Sequence, residues 1–109
     1  FSFNPATGVE KVLYAFQGQN DGNSPRASLT SFHGVLYGTT LDGGDGCGCG
    51  TVFSVNPATG AEAVVHAFDG GTDGEFPEAS LTNVGNTLYG TTGQGGTNCN
   101  CGTVFALKP

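Results

Sequence analysis

LYGTTLDGGDGCGCGTVF at residues 36–53 recurs as LYGTTGQGGTNCNCGTVF at residues 88–105. The offset is 52 positions, and carrying it outward aligns residues 1–52 with 53–104 without a gap, at 31 identities in 52. A match that long makes the chain two copies of one supersecondary unit, repeat 1 at 1–52 and repeat 2 at 53–104, with 105–109 opening a third. A period near 50 residues points to propellers, solenoids or open arrays, and a single such unit cannot bury its own apolar face.

Gly or Pro interrupts almost every ten-residue window, and Val9 to Gln17, than which no uninterrupted stretch is longer, shows apolar alternation with no helical period. The chain therefore reads as all-β. Val12, Tyr14 and Phe16 fall on one face of a predicted buried strand, as do Val64, His66 and Phe68 one period on. Ala27–Thr30 with Val35–Thr40, and Ala79–Thr82 with Thr87–Thr92, read as hairpins bent at His33-Gly34 and Gly85-Asn86. Thr51–Val55 and Thr103–Leu107 supply one more strand per unit, and Asn-Pro-Ala-Thr-Gly at 4–8 and 56–60 is turn chemistry. The expected architecture is two tandem four-stranded antiparallel propeller-blade-like repeats, open at both ends.

Composition narrows the function. Of the 109 residues 20 are Gly and only 11% are charged, where an ordinary soluble domain carries about a quarter. Nine acidic residues against three basic ones give a net charge of -6, so there is no cationic footprint for nucleic acid. No apolar run approaches a membrane span, which argues against membrane insertion. The start at Phe1 suggests a processed chain or a segment of a longer one.

Leu36–Thr40 with Gly43-Gly44, then Gly50–Phe53, then Phe68, Asp73-Gly74 and Pro77, with their copies one period away, resemble the GloVer-type tandem repeat of bacterial secreted and surface proteins. The order of strand pair, Gly pair and strand into a turn is also similar to kelch β-propeller blades. The resemblance covers the whole chain. It implies an extracellular, repetitive β architecture and no catalytic residues.

Cys47, Cys49, Cys99 and Cys101 form two Cys-x-Cys pairs, an even count that suits an oxidising compartment. Three pairings are open, and pairing within each copy is favoured because Gly48 and Asn100 are residue types that tolerate a left-handed backbone. Equivalent points on neighbouring sheets lie about 10 Å apart, beyond the roughly 7 Å Cα limit of a disulfide. Zinc binding does not fit the spacing.

Catalysis has little to stand on. His33 and His66 have Gly85 and Tyr14 as counterparts, so neither belongs to a repeated site, and no nucleophile or phosphate motif is present. Glu10 with Glu62 and Asp21 with Asp73 recur, and Asp-Gly is turn chemistry before it is a Ca²⁺ site; the extra oxygens of Asp42 and Asp45 are Gln94 and Thr97 in the second copy. No cofactor and no metal are expected. Phe16 with Phe68, Phe53 with Phe105 and Tyr37 with Tyr89 recur at fixed positions and read as the repeat core. No N-glycosylation sequon with a permitted middle and following residue occurs, while the Thr-rich segments offer O-linked glycan acceptors.

The expectation from these residues is a non-enzymatic extracellular structural protein that pairs with itself. An assembly edge of Val9, Val12, Tyr14 and Phe16 would add beside Thr103, Phe105 and Leu107 of a neighbour, building a fibre or cell-surface array. The alternative expectation is a lectin-like carbohydrate-binding module in which the same contact closes into an oligomeric propeller.

Overall fold

A computed structural model of the chain describes all residues except 1, 5–8, 19, 45–46, 71–73 and 97–100, and along 2–4 and 9–11 it describes the backbone alone. The described residues hold strands and no helix: β1 (Ser2–Asn4), β2 (Val9–Lys11), β3 (Asn23–Pro25), β4 (Thr30–Phe32), β5 (Val35–Asp42), β6 (Thr51–Val55), β7 (Glu62–Ala67), β8 (Glu75–Pro77), β9 (Thr82–Val84), β10 (Thr87–Gln94) and β11 (Thr103–Leu107). The fold is all-β, with two antiparallel sheets of four to five strands, neither closed into a barrel, and a separate β1–β2 ribbon.

In the first sheet β5 pairs with β6 and β6 with β7, while β3 and β4 lie one after the other along the far side of β5. The second sheet repeats this with β8 and β9 along β10 and β11 on its other side. Strand β7 lies in repeat 2 by sequence but completes the first sheet, so the sheet frame is offset from the 52-residue frame.

Three of the predicted strands are displaced and a fourth differs in burial. The hairpin strand expected at Ala27–Thr30 is β4 at Thr30–Phe32, and that at Ala79–Thr82 is β9 at Thr82–Val84. The reason is turn length: His33 and Gly34 both have positive φ, 52° and 77°, the two-residue turn that matches strand twist, so Phe32 must face Val35 directly. The strand expected through Val12–Phe16 ends at Lys11. Its counterpart β7 has the whole of β6 beside it, whereas β2 has only Ser2–Asn4 as a hydrogen-bonding partner. Strand β7 is also half-exposed where a fully buried strand was expected, because it is the outermost strand of its sheet.

One core lies between the two sheets. Phe32, Tyr37 and Val52 from the first sheet meet Leu81 and Leu88 of the second, with Phe68 on the crossover and Cys49 on the preceding loop. Burying side chains of this size contributes about 1.5–3 kcal/mol each, which explains why a unit this rich in glycine needs a neighbour to pack against.

Candidate assembly interface

The repeated motif is explained by contacts that recur one period apart. At Gly38 an added Cβ would lie 2.7 Å from Phe53 Cζ and 2.9 Å from Leu29 Cδ2; at Gly90 it would lie 2.5 Å from Phe105 Cζ and 2.8 Å from Leu81 Cδ2. The Gly of Leu-Tyr-Gly is the floor on which the Phe of Gly-Thr-Val-Phe rests. Next to it, the Thr40 and Thr51 hydroxyls are 2.8 Å apart, as are those of Thr92 and Thr103, and each first Thr also accepts the backbone N–H of the second at 3.1 Å. The crossover aromatics recur as well. Phe16 meets Phe53 edge-on at 4.9 Å and Phe68 meets Phe105 at 5.2 Å, while Tyr14 and His66 each flank their own Phe.

The Gly-rich loop ties the sheets together. Cys47 and Cys49 are disulfide-bonded with Cα atoms 5.3 Å apart, and the residue between them, Gly48, has φ of +69°. The loop closes on itself through Gly43 N–H to Gly48 O and Gly50 N–H to Gly43 O, and presents the Cys49 carbonyl to Phe76 N–H of the second sheet at 2.8 Å. Cys101 is disulfide-bonded too. The pairing expected for it with Cys99 falls on a residue outside the described ones, as does that residue's neighbour Asn100.

Among the described residues the second sheet lacks a strand that the first sheet has. In the first sheet β7 occupies the outer side of β6; among the described residues no strand occupies the equivalent side of β11. The β1–β2 ribbon supplies the missing geometry. Its pairs Ser2↔Lys11 and Phe3↔Glu10 are the β6–β7 pairs Ser54↔Ala63 and Val55↔Glu62 moved back by 52 residues. The same register moved forward on β6 and back on β7 would set Thr103 opposite Ala15, Val104 opposite Tyr14 and Phe105 opposite Val12.

The family pattern of the Gloeobacter/Verrucomicrobia repeat matches residues 1–109. The chain belongs to this family. No curated protein and no solved structure compared with it matches. The contacts just described give physical reasons for the motif that recurs within this Gloeobacter/Verrucomicrobia repeat chain: a glycine where an aromatic ring presses close, and threonines where two strands share hydroxyls.

Of the residues expected at the assembly edge, Val9 lies in β2, Val12 is exposed just beyond it, and Tyr14 and Phe16 are half-buried against the first sheet. Thr103, Phe105 and Leu107 are half-buried in β11. Of the expected repeat core, Tyr37, Phe53 and Phe68 are buried and Phe16 and Phe105 half-buried. Tyr89 departs from the core reading. It is exposed where Tyr37 is buried, because among the described residues no sheet covers its face of β10.

One polar corner was not read from the sequence. The Tyr14 hydroxyl donates to the Asp21 carboxylate, which also accepts the Gln17 backbone N–H at 3.0 Å. That hydrogen bond, then burial, then the charges of Glu62 and Asp21, push the Tyr14 pKa up to about 12. Glu62 is raised as well, by burial and then by the Asp21 charge, and its Oε2 is buried with no hydrogen-bond partner. The signal that could have found this corner is the recurrence of Glu10 with Glu62 and of Asp21 with Asp73. Asp73 and Asp45 lie outside the described residues. Among the described residues no three His, Cys, Asp or Glu side chains stand close enough to hold a metal ion. His33 lies in its turn with its ring tilted against Phe32 at 4.2 Å, and His66 packs edge-on against Phe68 at 4.7 Å.

Proposed function

We propose that this repeat is a non-enzymatic, extracellular structural protein that assembles head to tail with further copies of itself through β-strand pairing. The observation that carries the reading is the outer side of β11, which no strand among the described residues occupies, matched by a segment, residues 9–16, of which β2 covers only three residues while its counterpart β7 covers six. An unpaired edge of this kind is a template for strand addition. In the repeat register β11 of one copy replaces β1 beside β2 of the next, and pairing extends to Val12, Tyr14 and Ala15. An oxidising location agrees with the Cys47–Cys49 disulfide.

Light scattering on the purified chain tests the reading. The expected result is a mass that rises with concentration above the 11.0 kDa of one chain. Deleting residues 1–16, or replacing Val12 by proline, which removes an N–H from the extended ladder but not from β2 as it stands, should return it to the mass of a single chain. A chain that stays at that mass at every concentration overturns the reading, and a closed ring of fixed mass would favour the lectin-like propeller instead.

A further inference from the structure

Exposure compared one period apart reveals a second contact surface. Val52, Tyr37 and Phe32 share one face of the first sheet and are 0%, 8% and 8% exposed; their counterparts Val104, Tyr89 and Val84 share the same face of the second sheet and are 78%, 40% and 60% exposed. The difference is the neighbour. The first set is covered by the second sheet, through Leu81 and Leu88, and nothing among the described residues covers the second set. The opposite faces show the converse. Leu81 and Leu88 are 4% and 0% exposed and Pro77 is fully buried, whereas Leu29 is 42% exposed, Leu36 half-buried and Pro25 exposed.

We infer that the outer face of the second sheet, at Val84, Tyr89 and Val104, docks the outer face of the first sheet of a second copy of this chain, at Pro25, Leu29 and Leu36. The inference rests on the self-assembly proposed above, but on side-chain faces where that reading rests on backbone edges. The template is the interface inside the chain, whose two halves are the same side chains or close equivalents of those left bare at either end. Its polar contacts repeat too. Within the chain Ser28 N–H donates to Ser80 Oγ at 3.1 Å and the Thr30 hydroxyl to the Leu81 carbonyl at 2.6 Å. One period on, Thr82, which is exposed, meets the Leu29 carbonyl of the second copy. Because the two faces differ, the contact is heterologous and continues from copy to copy. Neither face contributes a charge at these positions, so the net charge of -6 opposes docking only at long range, and added salt screens it.

The test uses Val104→Glu and Leu29→Glu, each spoiling one face and leaving the strand backbone as it was. Each variant alone should need at least tenfold more protein than the wild type to assemble. Mixed, each offers the face the other lacks, and the mixture should form a capped heterodimer of twice the 11.0 kDa protomer mass. As a second readout, a Thr82→Cys, Leu29→Cys chain should form interchain disulfides under oxidation. Variants that assemble like the wild type, and no interchain crosslink, overturn the face contact; if Val12→Pro still abolishes assembly, strand pairing stands without it. A wild type that never exceeds the protomer mass overturns both.

Discussion

Replacing Val52 or Val104 by alanine removes the same atoms from the same strand position in the two repeats. Val52 is fully buried between the sheets and Val104 is 78% exposed on β11. Losing two buried carbons at about 0.8 kcal/mol each costs about 1.6 kcal/mol. A residual cavity on the order of 40 Å3, at roughly 24 cal/mol per Å3, adds about 1 kcal/mol. Val52→Ala should therefore destabilise by about 2.5 kcal/mol, while Val104→Ala stays within about 0.5 kcal/mol, as exposed substitutions do. Any loss of strand preference is common to both and cancels in the difference. At roughly 4–8 °C per kcal/mol for a domain of this size, the first lowers Tm by about 10–20 °C and the second barely moves it. Differential scanning fluorimetry or urea unfolding at low protein concentration, where copies are apart, measures both. Equal shifts would refute the claim that the second sheet is what buries this face of the first.

Glu62→Gln should raise Tm by a few degrees near neutral pH. A carboxyl raised in the folded state above its ordinary value of 4.5 supports folding fully below that value and loses this support as pH rises through its folded pKa, so the benefit of glutamine should disappear in acid; a benefit independent of pH would contradict the assignment. Gly38→Ala and Gly90→Ala should each destabilise by about 1–3 kcal/mol through overpacking against Phe53 and Phe105, although alanine is ordinarily the better strand residue. Urea midpoints that rise for either would show that the aromatic floor can yield.

Much of the fold is written locally. Glycine and proline punctuation, the Asn56 turn whose side chain accepts the N–H groups of Ala58 and Thr59, and the two-residue bend at His33-Gly34 depend on neighbours in sequence. Beyond the hairpin strands shifted by that bend, the misreadings depend on neighbours in space. Residues 12–16 carry an alternation much like that of β7, yet pairing stops at Lys11 because the partner strand beside them is short. Tyr37 and Tyr89 sit in identical Leu-Tyr-Gly-Thr-Thr contexts, and only the presence of a covering sheet separates a buried ring from an exposed one. The Tyr14–Asp21–Glu62 corner was hidden for the same reason. It joins residues of both repeats, and only strand packing brings Glu62 near the Asp21 turn.

The offset between sheet and sequence frames has a mechanical meaning. Strand β7 leaves the first sheet and its chain continues through Phe68 into β8 of the second, so successive sheets are laced by one continuous thread. In a tandem array built this way, tension along the backbone would pull at the Thr51–Ala67 end of the β6–β7 ladder, where the chain both enters β6 and leaves β7, so its hydrogen bonds would open one after another starting from the junction with the next unit. Resistance to pulling would then belong to the junctions, where the disulfide loop and the Phe68–Phe105 contact are also found.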